Sequence, residues 1–299
     1  MQTCNLTEVV VRPDDTFETL KDKVTLATIL GTIQSTLTNF RYLRASWKKN
    51  IEEERLLGVS FTGVFDHAVL NGRSEEALSS WLDALRDVAI EVNRVWADKL
   101  GINQSTAITC NKPAGTTSSL SNTSSGMHPR HSKYYLRAVR QDNKDPLTQF
   151  LKDQGVPSEP CVVRPESTTV FYFPLKAPDG AVTKDDLTAL EHLNLWQKYN
   201  THWAEHQVSV TVSVQEHEWM EVGAWVFNNF DDITGISFLP ADQGTYKQAP
   251  FQAITEEEYN LAQSKMPTEI DWSQLTKYEI EDSTVGAKEL ACVSGYCEI

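Results

Sequence analysis

No stretch of this chain approaches the roughly 18 consecutive apolar residues that a membrane helix needs. The opening MQTCNLTEVV has no basic region followed by an apolar core. The sequence therefore predicts a chain that neither spans a membrane nor is exported. Cysteine is scarce: five residues, at positions 4, 110, 161, 292 and 297, with no Cys-x-x-Cys pair. So sparse and odd a set excludes a secreted disulfide framework and points to a reducing, cytoplasmic setting in which some thiols do chemistry. Basic residues are also short, 27 Lys and Arg against 41 Asp and Glu, for a net charge of −14. That field repels phosphate polymers, which argues against an extended nucleic-acid surface, and any anionic ligand needs a local exception. No internal repeat is visible. What is present is 299 residues with 40% hydrophobic content, enough to bury the core of one large domain or two modest ones.

Apolar spacing sets the expected elements. Asn5 to Val11 reads as a strand that ends at the turn Arg12-Pro13-Asp14-Asp15. Phe17, Leu20, Val24, Ala27, Leu30, Ile33 and Leu37 then recur at helical spacing. Leu56 to Phe61 reads as a buried strand. Ser74 caps a helix with the stripe Leu78, Leu82, Leu85, Ala89, Val92 and Trp96, which Gly101 stops. Ser105 to Cys110 is a strand running into a loop rich in Gly, Ser and Thr. Tyr134 to Val139 and Thr168 to Leu175 are extended, and Thr183 with Asp186 opens a helix reaching about Glu205. The alternating Val208, Val210, Val212 and Val214 form a half-buried strand. A helix over 216–229, a strand over 236–239 and a helix over 256–265 complete the series. Strand followed by helix, without tandem hairpins, predicts an α/β layered or barrel architecture. From about Tyr278 the periodicity is lost, which predicts a mobile tail.

Three clusters carry chemical content. From Lys99 to Gln141 there is no Asp or Glu, while Lys99, Lys112, Arg130, Lys133, Arg137 and Arg140 supply six positive charges. Inside this window lie Lys112, Pro113, Ala114, Gly115, Thr116, Thr117, Ser118 and Ser119, directly after a strand. Glycine admits close approach of a ligand, and successive hydroxyl and N–H groups suit phosphate oxygens. No Gly-Lys-Ser/Thr follows, so this is not a P-loop, and an ordinary polar loop has the same composition. The second cluster is Cys292 and Cys297, flanking Gly295 at the carboxyl terminus. A flexible segment of about 15 residues spans roughly 20 Å, so such a pair can close a small ring and also reach another site. Glu289, Glu298 and the terminal carboxylate disfavour thiolate there, which suits a relay rather than a hyper-reactive nucleophile. Third, His202-Trp203-Ala204-Glu205-His206 fits the H-x-x-E-H spacing of one zinc peptidase class, with both imidazoles on one helix face. Histidines on a helix are more often packing residues, and no third ligand is visible, so no metal is expected. Cys110 and Cys161 read as small buried hydrophobes.

Five ordered segments carry a resemblance: Gln2-Thr3-Cys4-Asn5-Leu6-Thr7-Glu8-Val9, the 112–116 loop, Ser125-Gly126-Met127-His128-Pro129 with 134–140, Lys247-Gln248-Ala249-Pro250, and the Cys-x4-Cys tail. Together they resemble the carboxyl-terminal half of the monomeric, adenosylcobalamin-dependent (class II) ribonucleoside-triphosphate reductases. The resemblance implies an α/β fold that is the second half of a ten-stranded barrel, with residues 1–275 as the half-barrel and 276–299 as a redox-active tail. It implies conversion of ribonucleotides to 2′-deoxyribonucleotides by thiyl radical chemistry. Cys4 matches one member of the reducing cysteine pair, Lys112 to Ser119 the loop that grips substrate phosphates, and Gly126, Met127, His128 and Pro129 the segment that follows. Cys292 and Cys297 match the tail pair, reset by thioredoxin or a similar dithiol. The family has Ser or Thr chemistry where Ala114 stands, so contact there is expected from backbone alone.

The family's Asn-x-Cys-x-Glu motif, with the radical cysteine, belongs before Cys4. This implies a split enzyme whose amino-terminal reductase polypeptide supplies that cysteine and shares the adenosylcobalamin. An apolar face toward that partner is expected. A nucleotide-binding or regulatory module without catalysis is the alternative.

Overall fold

The computed structural model describes residues 2–241 and 246–279, with the backbone of 292–293 and 296–297. In chain order its elements open with β1 (Asn5–Val10), α1 (Phe17–Gln34), α2 (Ala45–Glu54), β2 (Leu57–Thr62), α3 (Glu75–Leu100) and α4 (Gly115–Ser121). Next come β3 (Tyr134–Asp142), α5 (Pro146–Asp153), β4 (Ser158–Pro160) and β5 (Thr168–Lys176). Then follow α6 (Ala189–His202), β6 (Val210–Val214), α7 (Trp219–Asn228), β7 (Ile236–Pro240), β8 (Phe251–Ala253) and α8 (Glu256–Ser264). The backbone ends with β9 (Cys292–Val293) and β10 (Tyr296–Cys297). Two compact units result, one from 2–130 with 178–241, the other from 131–177 with 246–279.

The first unit is a row of parallel chain segments. β1 pairs with β2 from Asn5↔Leu57 to Val10↔Thr62, and β6 pairs with β7 from Val210↔Ile236 to Val214↔Pro240. Between them runs the segment 107–111, bridged in parallel to β2 at Val59↔Thr109 and toward β6 at Asn111↔Val208. Five neighbouring segments thus run in one direction. All six residues of β2 are buried, as expected for a central parallel strand covered on both faces. Leu57, Val59 and Phe61 share one core with Leu20 and Val24 of α1, Leu78, Leu82 and Leu85 of α3, and Leu193, Trp196 and Tyr199 of α6. The second unit is an antiparallel sheet in the order β4-β5-β3-β8, packed around Phe150, Leu151, Val156 and Phe171. Among the described residues no helix is long and apolar enough to cross a membrane.

Five expectations change. The sheet of the second unit is antiparallel, because β3 and β5 are paired across a connection long enough to hide a hairpin. Residues 105–110 carry one isolated bridge, at Thr109, with another at Asn111, rather than a continuous strand. The Gly, Ser and Thr-rich stretch is helical over α4. Thr183 and Asp186 do form a capping box, but it opens one 3-10 turn, and α6 starts at a second box made by Thr188 and Glu191. Helix α2 was not legible, since Ile51 is its one buried residue and leaves no apolar stripe. The expected tail begins later than 276, because a 3-10 turn runs over Trp272–Lys277 and Tyr278 packs on Phe150; from 280 onward it lies outside the described residues, apart from β9 and β10, where Cys292 and Cys297 are antiparallel partners.

Candidate active site

Cys4 immediately precedes β1, and its thiol donates to the Leu57 carbonyl of β2 at 3.0 Å. On the other side of β2, Cys110 donates its backbone N–H to Val59, and its carbonyl accepts from Trp203 Nε1 at 2.9 Å. Two residues further on comes Lys112, whose N–H donates to Ser60 Oγ of β2 at 3.0 Å. One buried strand therefore brings together residues 4 and 112. Burial raises the Cys4 thiol above its ordinary range, and the Lys112 ammonium partly opposes this. Cys110 is pushed up to about 12 by burial first and then by the charges of Cys4 and Glu8.

The loop after Lys112 is braced at its base. The Ala114 N–H donates to Ser125 Oγ at 3.0 Å, so the backbone contact expected from this residue is directed inside the protein. α4 begins at Gly115, where an added Cβ would meet nothing within 4 Å. The first N–H groups of a helix have no intrahelical acceptor and form its positive end. Here those groups belong to Gly115, Thr116 and Thr117, while Pro113 and Thr116 are exposed. The Ser118 and Ser119 hydroxyls instead donate to the Gly115 carbonyl, at 3.5 and 2.7 Å. Glu8 of β1, which sequence reasoning did not single out, is half-buried. Burial raises its carboxyl, opposed by a hydrogen bond from Thr117. Its signal is the alternation of strand side chains, which sets positions 4, 6 and 8 on one face.

Residues 122–130 underpin this loop. Gly126 has φ of 51°, and a side chain there would collide with the Lys112 carbonyl oxygen, so only glycine fits. Met127 is in the core. The Thr211 N–H donates to His128 Nε2 at 3.0 Å, which places the ring proton on Nδ1, donating to the Ser125 carbonyl at 3.0 Å. These two side chains are engaged internally and act on the site through the loop they hold. Asp66 accepts from Arg130 Nε and Nη2 at 2.8 and 2.7 Å and from the Ser124 N–H at 2.9 Å. Arg130 also donates to the carbonyl of Asn122, the residue that caps α4 in left-handed backbone.

Within the first compact unit the cations of the acid-free window have separate engagements. Lys133, Arg137 and Arg140 belong to the other compact unit, Lys99 lies 4.8 Å from the Trp96 ring centroid, and Arg130 is buried against Asp66. Lys112 is the member whose charge acts at Cys4. The His-x-x-Glu-His reading also changes. α6 ends at His202, which pairs with Asp83 at 2.9 Å, while Glu205 accepts the Ile108 N–H at 2.9 Å, so the two imidazoles share no helix face. Among the described residues no three His, Cys, Asp or Glu are grouped to hold a metal. Cys110 and Cys161 are buried as expected, but Cys110 also borders Cys4.

His192 gives a pH prediction. It is wholly buried, donates from Nε2 to the Met127 carbonyl at 2.6 Å, and is pushed down by burial to about 4 from 6.5. Burial also lowers His128. A depressed folded value means that the stabilisation is complete above about pH 6.5 and is lost as pH falls toward 4, because the unfolded chain takes up a proton that the folded chain refuses. The expected loss is about 3 kcal/mol. Urea unfolding at about pH 7.5 and about pH 4.5 measures it. His192→Gln, which keeps a donor, should flatten the slope; an equal slope in both proteins contradicts the assignment.

No family profile matches the chain. Individual proteins do. The adenosylcobalamin-dependent ribonucleoside-triphosphate reductase of Euglena gracilis is 32% identical over 278 residues, covering 91% of this chain and 37% of that protein. The one of Lactobacillus acidophilus is 26% identical over 325 residues, covering 99% and 43%. A probable reductase of the same kind from Dictyostelium discoideum is 28% identical over 258 residues, covering 84% and 33%. The crystal structure of a B12-dependent (class II) ribonucleotide reductase superposes with a TM-score of 0.79 at 22% identity, over 95% of this chain and 42% of that one. This α/β fold is shared with part of a class II ribonucleotide reductase. The chain spans about two fifths of the length of these relatives.

Proposed function

We propose that this chain is the carboxyl-terminal half of a split class II ribonucleotide reductase. It converts ribonucleotides, triphosphates foremost, to 2′-deoxyribonucleotides together with a separate polypeptide bearing the radical cysteine. The observation that carries this reading is the meeting of Cys4 with Lys112 and the start of α4 around β2. Phosphate is held by the Lys112 ammonium, by the N–H groups of Gly115, Thr116 and Thr117 and by the Thr116 hydroxyl, with Pro113 and Ala114 shaping the turn. Ser118, Ser119 and the segment from Gly126 to Pro129 keep that turn in place. Cys4 stays a protonated thiol beside the ribose, the form that gives up a proton with its electron. Adenosylcobalamin, when bound, supplies the radical equivalent to the partner's cysteine, and no residue of this chain is assigned to holding it.

In the balanced reaction, the 2′ hydroxyl leaves as water while Cys4 and a second, reducing cysteine of the partner, distinct from its radical cysteine, lose two electrons and two protons to form a disulfide. The Cys292–Cys297 dithiol reduces that disulfide by exchange, and a thioredoxin-type dithiol reduces the tail in turn. Support for the tail's role comes from the β9–β10 register, which sets Cys292 opposite Cys297. Directly opposite antiparallel residues have Cα atoms about 4.5–5.5 Å apart, inside the range of about 4.4–6.8 Å that a disulfide spans. The boundary between half-barrel and tail is proposed just after Tyr278, the last side chain packed on the second core.

Support for a partner comes from the edges of the parallel row. α1, packed on β1, leaves Leu26 (67% exposed), Leu30 (60%) and Ile33 (42%) bare. α7, which leads into β7, leaves Met220 (84%) and Phe227 (82%) bare. Stripes of this kind at both edge strands mark interfaces. The test is to mix the chain with a polypeptide carrying the Asn-x-Cys-x-Glu motif, adenosylcobalamin and a thioredoxin system. Deoxyribonucleotide is expected only when both polypeptides are present. Full activity of this chain alone would overturn the split, whereas nucleotide binding without turnover in any mixture would favour the regulatory module.

A further inference from the structure

β2 carries a glycine, Gly58, as the second residue of a fully buried strand, and its φ lies outside the left-handed region. Glycine weakens a strand interior, and its presence there often marks the close approach of another group. A Cβ at position 58 would lie 2.5 Å from Leu6 Cδ2, 2.8 Å from Cys4 Sγ and 3.2 Å from Cys110 Sγ. Leu6 is half exposed and can swing aside. Cys4 is tied to the Leu57 carbonyl, and Cys110 is fully buried with its own carbonyl bonded to Trp203. We infer that Gly58 is a positioning residue: its missing side chain is the seat of the Cys4 sulfur, and Cys110 forms the far wall of that seat.

A methyl group at position 58 displaces the Cys4 sulfur outward, because the strand below and the buried thiol beside it cannot yield. Cys110, held protonated by burial, stays out of thiol exchange although it is close. The consequence for catalysis rests on the reading of Cys4 as a reducing thiol, whereas the geometric statement does not.

The test is the rate of Cys4 alkylation by iodoacetamide in the full chain, mapped by peptide mass spectrometry across pH. In Gly58→Ala the sulfur leaves its buried seat, so the Cys4 profile is expected to move to lower pH. A midpoint lower by about one on the pH scale means about ten times more thiolate at any pH well below it, and a rate about threefold higher, because a thiolate of lower pKa is a weaker nucleophile. Leu6→Ala alone keeps the wild-type profile, and Cys110 stays unmodified in all variants. If Gly58→Ala does not fold, Gly58→Ala combined with Leu6→Ala removes the tightest contact and is read in the same way. An unchanged Cys4 profile in either folded Gly58 variant overturns the inference. Failure of both to fold also overturns it, since Gly58 would then serve the fold rather than the sulfur. Alkylation of the chain by itself does not depend on reductase turnover, so failure of the functional proposal leaves this readout standing.

Discussion

Cys4→Ser is expected to abolish deoxyribonucleotide formation in the mixture with the partner polypeptide, whether dithiothreitol or thioredoxin supplies the electrons. A serine hydroxyl forms no disulfide, so two electrons are no longer available at the ribose. Nucleotide binding should persist, because Lys112 and the first turn of α4 are anchored through Ser60 and Ser125 rather than through the thiol. Cys292→Ser separates the two stages of reduction. It should stop thioredoxin-supported turnover and leave a single dithiothreitol-driven turnover intact. Product formation by Cys4→Ser over many turnovers would remove this residue from the reducing pair. Thioredoxin-supported turnover by Cys292→Ser would remove the tail from the relay.

Asp66→Ala should be the most destabilising single change near the site. The Asp66 and Arg130 side chains are 1% and 2% exposed, and they share two hydrogen bonds. Removing one partner of a buried pair leaves an uncompensated charge, at a cost of about 3–5 kcal/mol. For a chain of this size that corresponds to a fall in melting temperature on the order of 10 °C. Calorimetry of Asp66→Ala checks the size of the effect. Replacing both residues with apolar ones, Asp66→Leu with Arg130→Met, should recover much of the loss, because no charge is then stranded. The same pair ties the turn at 64–66 to Asn122 and Ser124 at the end of α4, so the single variant should also weaken nucleotide binding. A loss below about 1 kcal/mol would be the value of an exposed ion pair and would contradict this account.

Legibility from the sequence followed the range of the interactions. α3, β1, β2 and β6 lie close to where apolar spacing puts them, because each buries a stripe or face whose period is local; α1 and β7 are also found near their expected ranges, but Leu30, Ile33 and Leu37 of the expected α1 stripe are exposed and no residue of β7 is fully buried. β4 and β8 are three residues long and offer no period to read. The antiparallel order of the second unit depends on the pairing of Tyr134 with Lys176, far apart in sequence. Counting charges in a window also misled: three of the six cations fall in the second compact unit, and in the first Arg130 is consumed by Asp66 and Lys99 lies over the Trp96 ring.

The sequence by itself determined the α/β class, the start and stop of α3 at Ser74 and Gly101, and the candidate thiols and phosphate loop, since these depend on residue type and short-range spacing. Only the tertiary structure decided that Cys4, Cys110, Glu8 and Lys112 share one place, that Gly58 leaves room for a sulfur, and that Asp66 neutralises Arg130. The physical reason is that parallel pairing on both sides of β2 joins positions more than a hundred residues apart, and no local pattern records which strands become neighbours.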